Sequence, residues 1–243
     1  MDHVLTEYGL RLSYVRNPKA YEELDQDRIL DDLSDDTSDV DPLPWFGRHG
    51  LTGYDHVVVV TDRSSGRYRA FLAANDRATQ REEFLCLETA FVAAAARGQN
   101  LTRRMIAFAM LRVGGIAQMP TIIAACTRNP QYYRIMRGLA HRITGTRFFP
   151  NPESNTIDFH AATLAQRIAR ALGANHRLQA TSGTVRGRMT ATGYSAPISY
   201  DPEIDLLFSR QMRPADRMLS VLDFRGGDEA TILDDARRIY RSR

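Results

Sequence analysis

The chain reads as an α/β protein built on a mixed sheet, and three observations carry that reading. The run Phe84–Ala93 is almost uninterruptedly apolar, which suits a strand buried on both faces and is too short for a membrane-spanning helix. Behind it, Leu101, Met105, Phe108 and Ala109 recur at intervals of three and four, which predicts an amphipathic helix with one face in the core. A second apolar, β-branched run follows at Thr121–Cys126. Strand, helix and strand within about 45 residues predict a right-handed crossover between two parallel strands.

Ahead of this unit the chain predicts an antiparallel meander. Residues 8–16 alternate, with Tyr8, Leu10, Leu12 and Tyr14 on one side, as a half-buried first strand does. Ala20–Leu33 has helical spacing. The acidic segment Asp31–Asp41 leads into Pro42, Pro44, Trp45 and Phe46, either as a solvated loop or as carboxylates and an aromatic wall that attract a cationic acceptor. His56–Thr61 is a β-branched central strand, Arg63–Gly66 a turn, and Arg67–Ala74 the returning strand of a hairpin.

Beyond Phe108 the helix is expected to end near Val113, at the Gly114–Gly115 pair. After Cys126, the dipeptide Asn129-Pro130 marks a helix start, because asparagine caps free N–H groups and proline lacks the one it would leave unsatisfied. That helix runs to about His141, with Tyr132, Ile135, Met136 and Leu139 on its apolar face and Tyr133 and Arg137 to one side. Further on come a small-residue helix at Ala161–Leu172, then a Gly/Ser/Thr-containing stretch at 174–195 with Arg186 and Arg188, read as a lid at 180–194 or a connector. Asp205–Ser209, a strand at Arg217–Phe224 and a last helix opening at Asp228 complete the chain. We expect a single domain over 1–243, with a core of about 1–142 and an insertion and C-terminal extension over about 143–243.

Composition narrows the function classes. With 243 residues, 43% hydrophobic and 25% charged, the chain can bury a sizeable core. No apolar run approaches the ~20 residues of a spanning helix, and Met1-Asp2-His3 does not open a signal peptide, so the expected location is cytoplasmic with no membrane partner. The two cysteines, Cys86 and Cys126, fall in predicted buried strands and read as reduced core thiols. No metal-ligand pattern is present, and a net charge of +3 with dispersed arginines gives no nucleic-acid footprint.

Two places carry chemistry. The turn Arg97-Gly98-Gln99-Asn100 delivers the chain from a strand into a helix start, where unpaired N–H groups and the positive end of the macrodipole suit an anion, assisted by Arg97, Arg103 or Arg104. Glu88 is a lone carboxylate in an apolar strand. Burial would raise its pKa toward the range of a general base. A salt bridge with Arg69 or a cleft-facing position without chemistry are the other readings.

The run Phe91-Val92-Ala93-Ala94-Ala95-Ala96-Arg97-Gly98-Gln99-Asn100-Leu101-Thr102 resembles the acyl-CoA signature of the GNAT N-acetyltransferase superfamily, with Asn100 and Thr102 standing where that signature has small residues. The resemblance implies a GNAT-like fold, an antiparallel meander followed by a βαβ unit, with acetyl-CoA or another acyl-CoA held in the splay between the two parallel strands. It implies that Phe91, Val92 and Ala93 hold the pantetheine and polarise the thioester, and that Arg97, Gly98, Gln99, Asn100, Leu101, Thr102 and Arg103 surround the pyrophosphate. It further implies Asn129 on the pantetheine arm and Glu88 as base. The usual acid falls on Met136, so Tyr133 stands as its substitute. The implied acceptor is a primary amine on a small molecule or a peptide, and the resemblance leaves room for a homodimer. An acyl-CoA-binding sensor or scaffold without turnover is the alternative. A nucleotide-binding domain is disfavoured by the lack of a Lys-Ser/Thr phosphate loop and of Gly-x-Gly-x-x-Gly.

Overall fold

The computed structural model describes residues 3–5, 8–18, 25–35, 50–116, 119–151, 158–174, 177–187 and 199–241. The chain divides into two compact units that interleave along the sequence, the first made of 1–75, 87–119 and 236–243 and the second of 76–86 and 120–235. Asp36–Asp41, Pro42, Pro44, Trp45, Phe46 and Arg188 lie outside the described residues, as does the expected lid beyond Gly187.

The first unit holds β1 (His3–Leu5), β2 (Leu10–Arg16) and β3 (His56–Asp62), with the opening of β4 (Tyr68–Ala78) and the end of β5 (Glu83–Val92), in the sheet order β1-β2-β3-β4-β5. The first four strands pair antiparallel in sequence order, with Leu12 opposite Val60 and Val58 opposite Leu72. β1 extends the expected meander by one strand. Helices α1 (Gln26–Asp35) and α2 (Leu101–Ile116) belong to the same unit.

The β-branched run His56–Val60 is buried throughout, because both faces of β3 are covered. On one face Val57 and Val59 join Phe71, Ala73 and Phe91 with Ile29 and Leu33 of α1. Phe71 and Phe91 stack with centroids 6.3 Å apart. The buried His56 sits 2.7 Å through Nδ1 from the Tyr14 hydroxyl on the neighbouring strand. One expectation is corrected: α2 does not stop at Gly114–Gly115 but continues to Ile116. A Cβ at Gly114 would stand 3.3 Å from that of Met119, so glycine there admits the returning chain.

The second unit is organised on β10 (Arg217–Asp223), which pairs antiparallel with β6 (Ile122–Thr127), β7 (Arg147–Phe149) and β9 (Thr184–Val185). β8 (Leu178–Gln179) closes a small hairpin with β9, giving the order β5-β6-β10-β9-β8. Four helices accompany it: α3 (Pro130–Ala140), α4 (Phe159–Ala171), α5 (Pro202–Gln211) and α6 (Glu229–Arg241), whose residues from Ala236 onward belong to the first unit. The segment Asp205–Ser209 is thus the middle of a helix capped by Asp201.

One core of this unit joins Phe84, Cys86, Ile122 and Ala124 to Leu164, Ala165 and Ile168 of α4 and to Leu219 and Val221 of β10. Another gathers Tyr133, Ile204, Phe208 and Met218. Charge is paired at its edge. The Glu82 carboxylate accepts from Arg167 Nε at 3.0 Å and Thr79 Oγ1 at 2.7 Å, and Arg225 spans Asp223 at 2.8 Å and Glu82 at 3.4 Å. No described helix is long and apolar enough to cross a membrane, and no group of metal-ligating side chains occurs among the described residues.

Candidate functional site

In the first unit, β5 leaves the sheet through a single 3-10 turn, Ala94–Ala96, into the loop Arg97–Asn100. Two residues of that loop adopt left-handed backbone, Gly98 at φ +84° and Asn100 at φ +56°. Glycine does so freely and asparagine more readily than most residues. The turn they make aims the loop at the start of α2. The Asn100 carbonyl accepts from Arg104 N at 3.1 Å, the first bond of the helix. Among the described residues the amides of Leu101 and Thr102 have no acceptor, and no acidic side chain occupies the first turn to offset the dipole. A helix start of this kind favours an anion.

The side chains around the loop divide in role. Leu101 is buried and anchors the helix, while Thr102 and Arg103 are half-buried in its first turn. The half-buried Gln99 carries a shielded Oε1 with no donor among the described residues. Exposed Arg97 turns its Nε back to the Val92 carbonyl at 3.4 Å. Arg104 is not an anion ligand: it is 3% exposed and lies over the Tyr8 ring at 5.2 Å. Among the described residues nothing lies within 4 Å of where a Gly98 Cβ would stand.

Glu88 departs from expectation. Phe84 to Leu87 are all buried, but Glu88 is exposed, because the cover on its face of β5 ends there. Its position is set by hydrogen bonding, since Asn75 Nδ2 donates to Glu88 Oε1 at 3.3 Å while Asn75 Oδ1 accepts from Asp55 N at 3.0 Å. Asn75 is 8% exposed, so this bridge is shielded. Tyr54 stands close enough to sense the carboxylate: burial, then the charge of Glu88, pushes its phenol above the ordinary tyrosine value. Arg69, weighed as a partner for Glu88, pairs with Asp62 at 3.7 Å.

Of the three strand residues expected to hold pantetheine, Phe91 turns its ring into the core and Val92 is half-buried with its carbonyl taken by Arg97. The Ala93 amide is already committed, donating to Arg69 O at 2.8 Å. That amide cannot serve a thioester carbonyl without breaking the strand pairing, so the expectation for Ala93 is corrected.

In the second unit, Asn129 starts α3 as its sequence predicts. Its Oδ1 caps Gln131 N at 2.9 Å, Pro130 occupies the first turn, and its own N–H donates to Thr127 Oγ1 at 3.0 Å. Its Nδ2 has no acceptor among the described residues and is a donor at hand. Tyr133 is corrected. It is wholly buried, its hydroxyl donates to Pro150 O at 3.1 Å, and its ring packs on Phe148 and Phe208. Such a phenol holds the core together and is not placed to meet substrate.

The residue beside it has the other fate. Tyr132 is half-buried, yet its hydroxyl is enclosed and has no hydrogen-bond partner among the described residues. Burial pushes this phenol far above the ordinary tyrosine value, and the Cys86 thiol of β5 adds to the shift. An enclosed, protonated, unpartnered donor is uncommon in a folded protein and asks for an acceptor. Helical spacing placed Tyr132 with the core side chains; the signal that could have singled it out is a phenol among aliphatic residues, which must find a partner.

No family model matches the chain and no curated protein matches it significantly. Among solved structures it is similar to a tyrosine-to-phenylalanine mutant of the AtaT toxin bound to the C-terminus of the antitoxin AtaR, at TM-score 0.41 and 12% identity over 54% of this chain and 83% of that one. It is also similar to the ribosomal-protein-S5-alanine acetyltransferase from Vibrio fischeri, at TM-score 0.39 and 9% identity over 94% and 100%. A third is mosquito arylalkylamine N-acetyltransferase like 5b, at TM-score 0.37 and 12% identity over 57% and 85%. At these scores and identities the likeness is one of outline, and a functional reading has to stand on the chain's own residues.

Proposed function

We propose that this chain is a GNAT-type N-acyltransferase that moves an acetyl or longer acyl group from acyl-CoA to a primary amine of a small molecule or peptide. The observation that carries the reading is the Arg97–Asn100 loop, with its left-handed Gly98 and Asn100 opening onto an uncapped, acid-free helix start directly after an apolar strand. Bound there, acyl-CoA would supply a thioester already activated for attack. The first-turn amides and Arg97 would bind its pyrophosphate.

Glu88, held by Asn75, takes the proton that the acceptor ammonium must lose before its nitrogen attacks the thioester carbonyl. Exposure suits this role, because the carboxylate must meet an incoming amine. As the C–S bond breaks, the sulfur leaves as thiolate and takes a proton from solvent, while the new amide nitrogen sheds its second proton to solvent. Neither Cys86 nor Cys126 forms a disulfide, which suits a reducing, cytoplasmic setting.

The test is thiol release from acetyl-CoA across a panel of primary amines, with Glu88→Gln alongside the parent. The reading expects amine-dependent release that falls by about 100-fold in kcat in the variant, with acetyl-CoA affinity kept. Release that is unchanged in Glu88→Gln removes the assigned base. The second reading, a sensor that binds acyl-CoA without turnover, is favoured by the commitment of the Tyr133 hydroxyl to Pro150. Its signature is tight binding with no amine-dependent release.

A further inference from the structure

Away from the α2 start, in the second unit, the β8–β9 hairpin and the turn before β10 enclose an open cavity of about 690 Å³ lined by Arg177, Gln179, Arg186, Gly187, Arg213 and Asp216. That volume lies within the range of small-ligand sites. Asp216 is its fixed point. The carboxylate is 2% exposed and accepts from Arg213 N at 2.9 Å, Gly187 N at 2.9 Å and Arg186 Nη1 at 2.5 Å. Burial alone would raise its pKa, but those bonds and the Arg186 charge hold it below the usual carboxylate range. It is therefore ionised and neutralises Arg186, whose other nitrogen is tied to Gln179 Oε1 at 2.9 Å.

Two guanidiniums remain. Arg177 spends one nitrogen on the Gly187 carbonyl at 3.1 Å, and among the described residues it meets no carboxylate and the Arg213 side chain meets no partner. Among the described residues, three guanidiniums against one carboxylate leave two positive charges lining one cavity. Guanidinium forks match phosphate oxygens in geometry, and two unneutralised charges match a phosphate dianion better than a single carboxylate. We propose that this cavity is a second ligand site, one that takes the phosphoryl group of a small phosphate-bearing molecule between Arg177 and Arg213, with Arg186 held in place by Asp216.

The experiment is calorimetric titration of the full chain with inorganic pyrophosphate at fixed ionic strength, comparing the parent, the double variant Arg177→Ala/Arg213→Ala, and Arg97→Ala. Arg177 and Arg213 are exposed, so the double variant should melt as the parent does, and a thermal scan checks this. The proposal expects a binding event that weakens by about tenfold for each guanidinium removed and survives in Arg97→Ala. Succinate at the same concentration should bind more weakly than pyrophosphate. Three results overturn it: no pyrophosphate binding by the parent at millimolar concentration, undiminished binding by the double variant, or binding that only Arg97→Ala removes. The last would place the anion at the α2 start.

Discussion

Helices α2 and α3 both follow a strand and both start on asparagine, yet the two starts are finished in opposite ways. At α3 the protein satisfies its own backbone: Asn129 caps Gln131 N, and Pro130 removes a donor that would otherwise need a partner. At α2 the asparagine is left-handed, caps nothing with its side chain among the described residues, and is followed by Thr102, Arg103 and Arg104 with no acid. The first is a start made for stability. The second forgoes a cap worth about 1 kcal/mol and leaves its positive end unoffset by any first-turn acid.

That contrast can be broken experimentally, and the sharpest cut lies on α3 itself. Tyr132→Phe should keep or raise stability, because it removes a buried hydroxyl with no partner among the described residues. Tyr133→Phe should leave kcat alone and lower stability by about 1 kcal/mol through loss of the Pro150 bond. Denaturant midpoints separate the pair, steady-state kinetics check Tyr133→Phe, and equal effects on stability would dissolve the distinction between the two phenols.

At the α2 start, Arg97→Ala should weaken acetyl-CoA binding by about tenfold without shifting the melting temperature. Gly98→Ala should add a smaller loss, since among the described residues nothing meets its Cβ within 4 Å and only the left-handed backbone resists it, at roughly 1 kcal/mol. At the α3 start, Asn129→Asp keeps the capping oxygen, so its melting temperature should hold. Asn129→Ala loses the cap and should lower stability by about 1 kcal/mol. Matched thermal scans and titrations decide whether stability and binding divide between the two helices as drawn.

The smallest effect expected is on alkaline stability. The folded pKa of Tyr132 is raised above its unfolded value near 10, so its contribution is fully present below that pH and is lost as pH rises past it. Tyr132→Phe should flatten the loss of stability above about pH 10, read by denaturant midpoints between neutral and alkaline buffer. A limb of unchanged steepness would mean that other buried phenols, such as Tyr54 and Tyr240, dominate it.

What the sequence yields and what it withholds follow from range. The strand Glu83–Val92, the loop into α2 and the Asn129–Pro130 start are local, written by an apolar run, a glycine and a cap, and each is legible without tertiary knowledge. β1 and the β8–β9 hairpin are two or three residues long, too short for any periodicity to show. The Asn75–Glu88 bridge joins neighbouring strands, so no local window contains it. The exposure of Glu88 depends on where the cover over β5 ends, which composition does not say. Tyr132 and Tyr133 differ by a single step of helical rotation, and only the packing of Phe148 and Phe208 around one of them assigns the core to Tyr133. Gly114–Gly115 reads as a break in sequence and proves to be a contact surface for Met119.

The measurement that bears most directly on the central claim is calorimetric titration of the purified chain with acetyl-CoA and CoA, with ATP and a dinucleotide as controls and the Arg97→Ala variant in parallel. The account predicts saturable binding of both CoA forms in preference to the controls, weakened in the variant. Absence of acyl-CoA binding at millimolar concentration, or binding indifferent to Arg97, would contradict it.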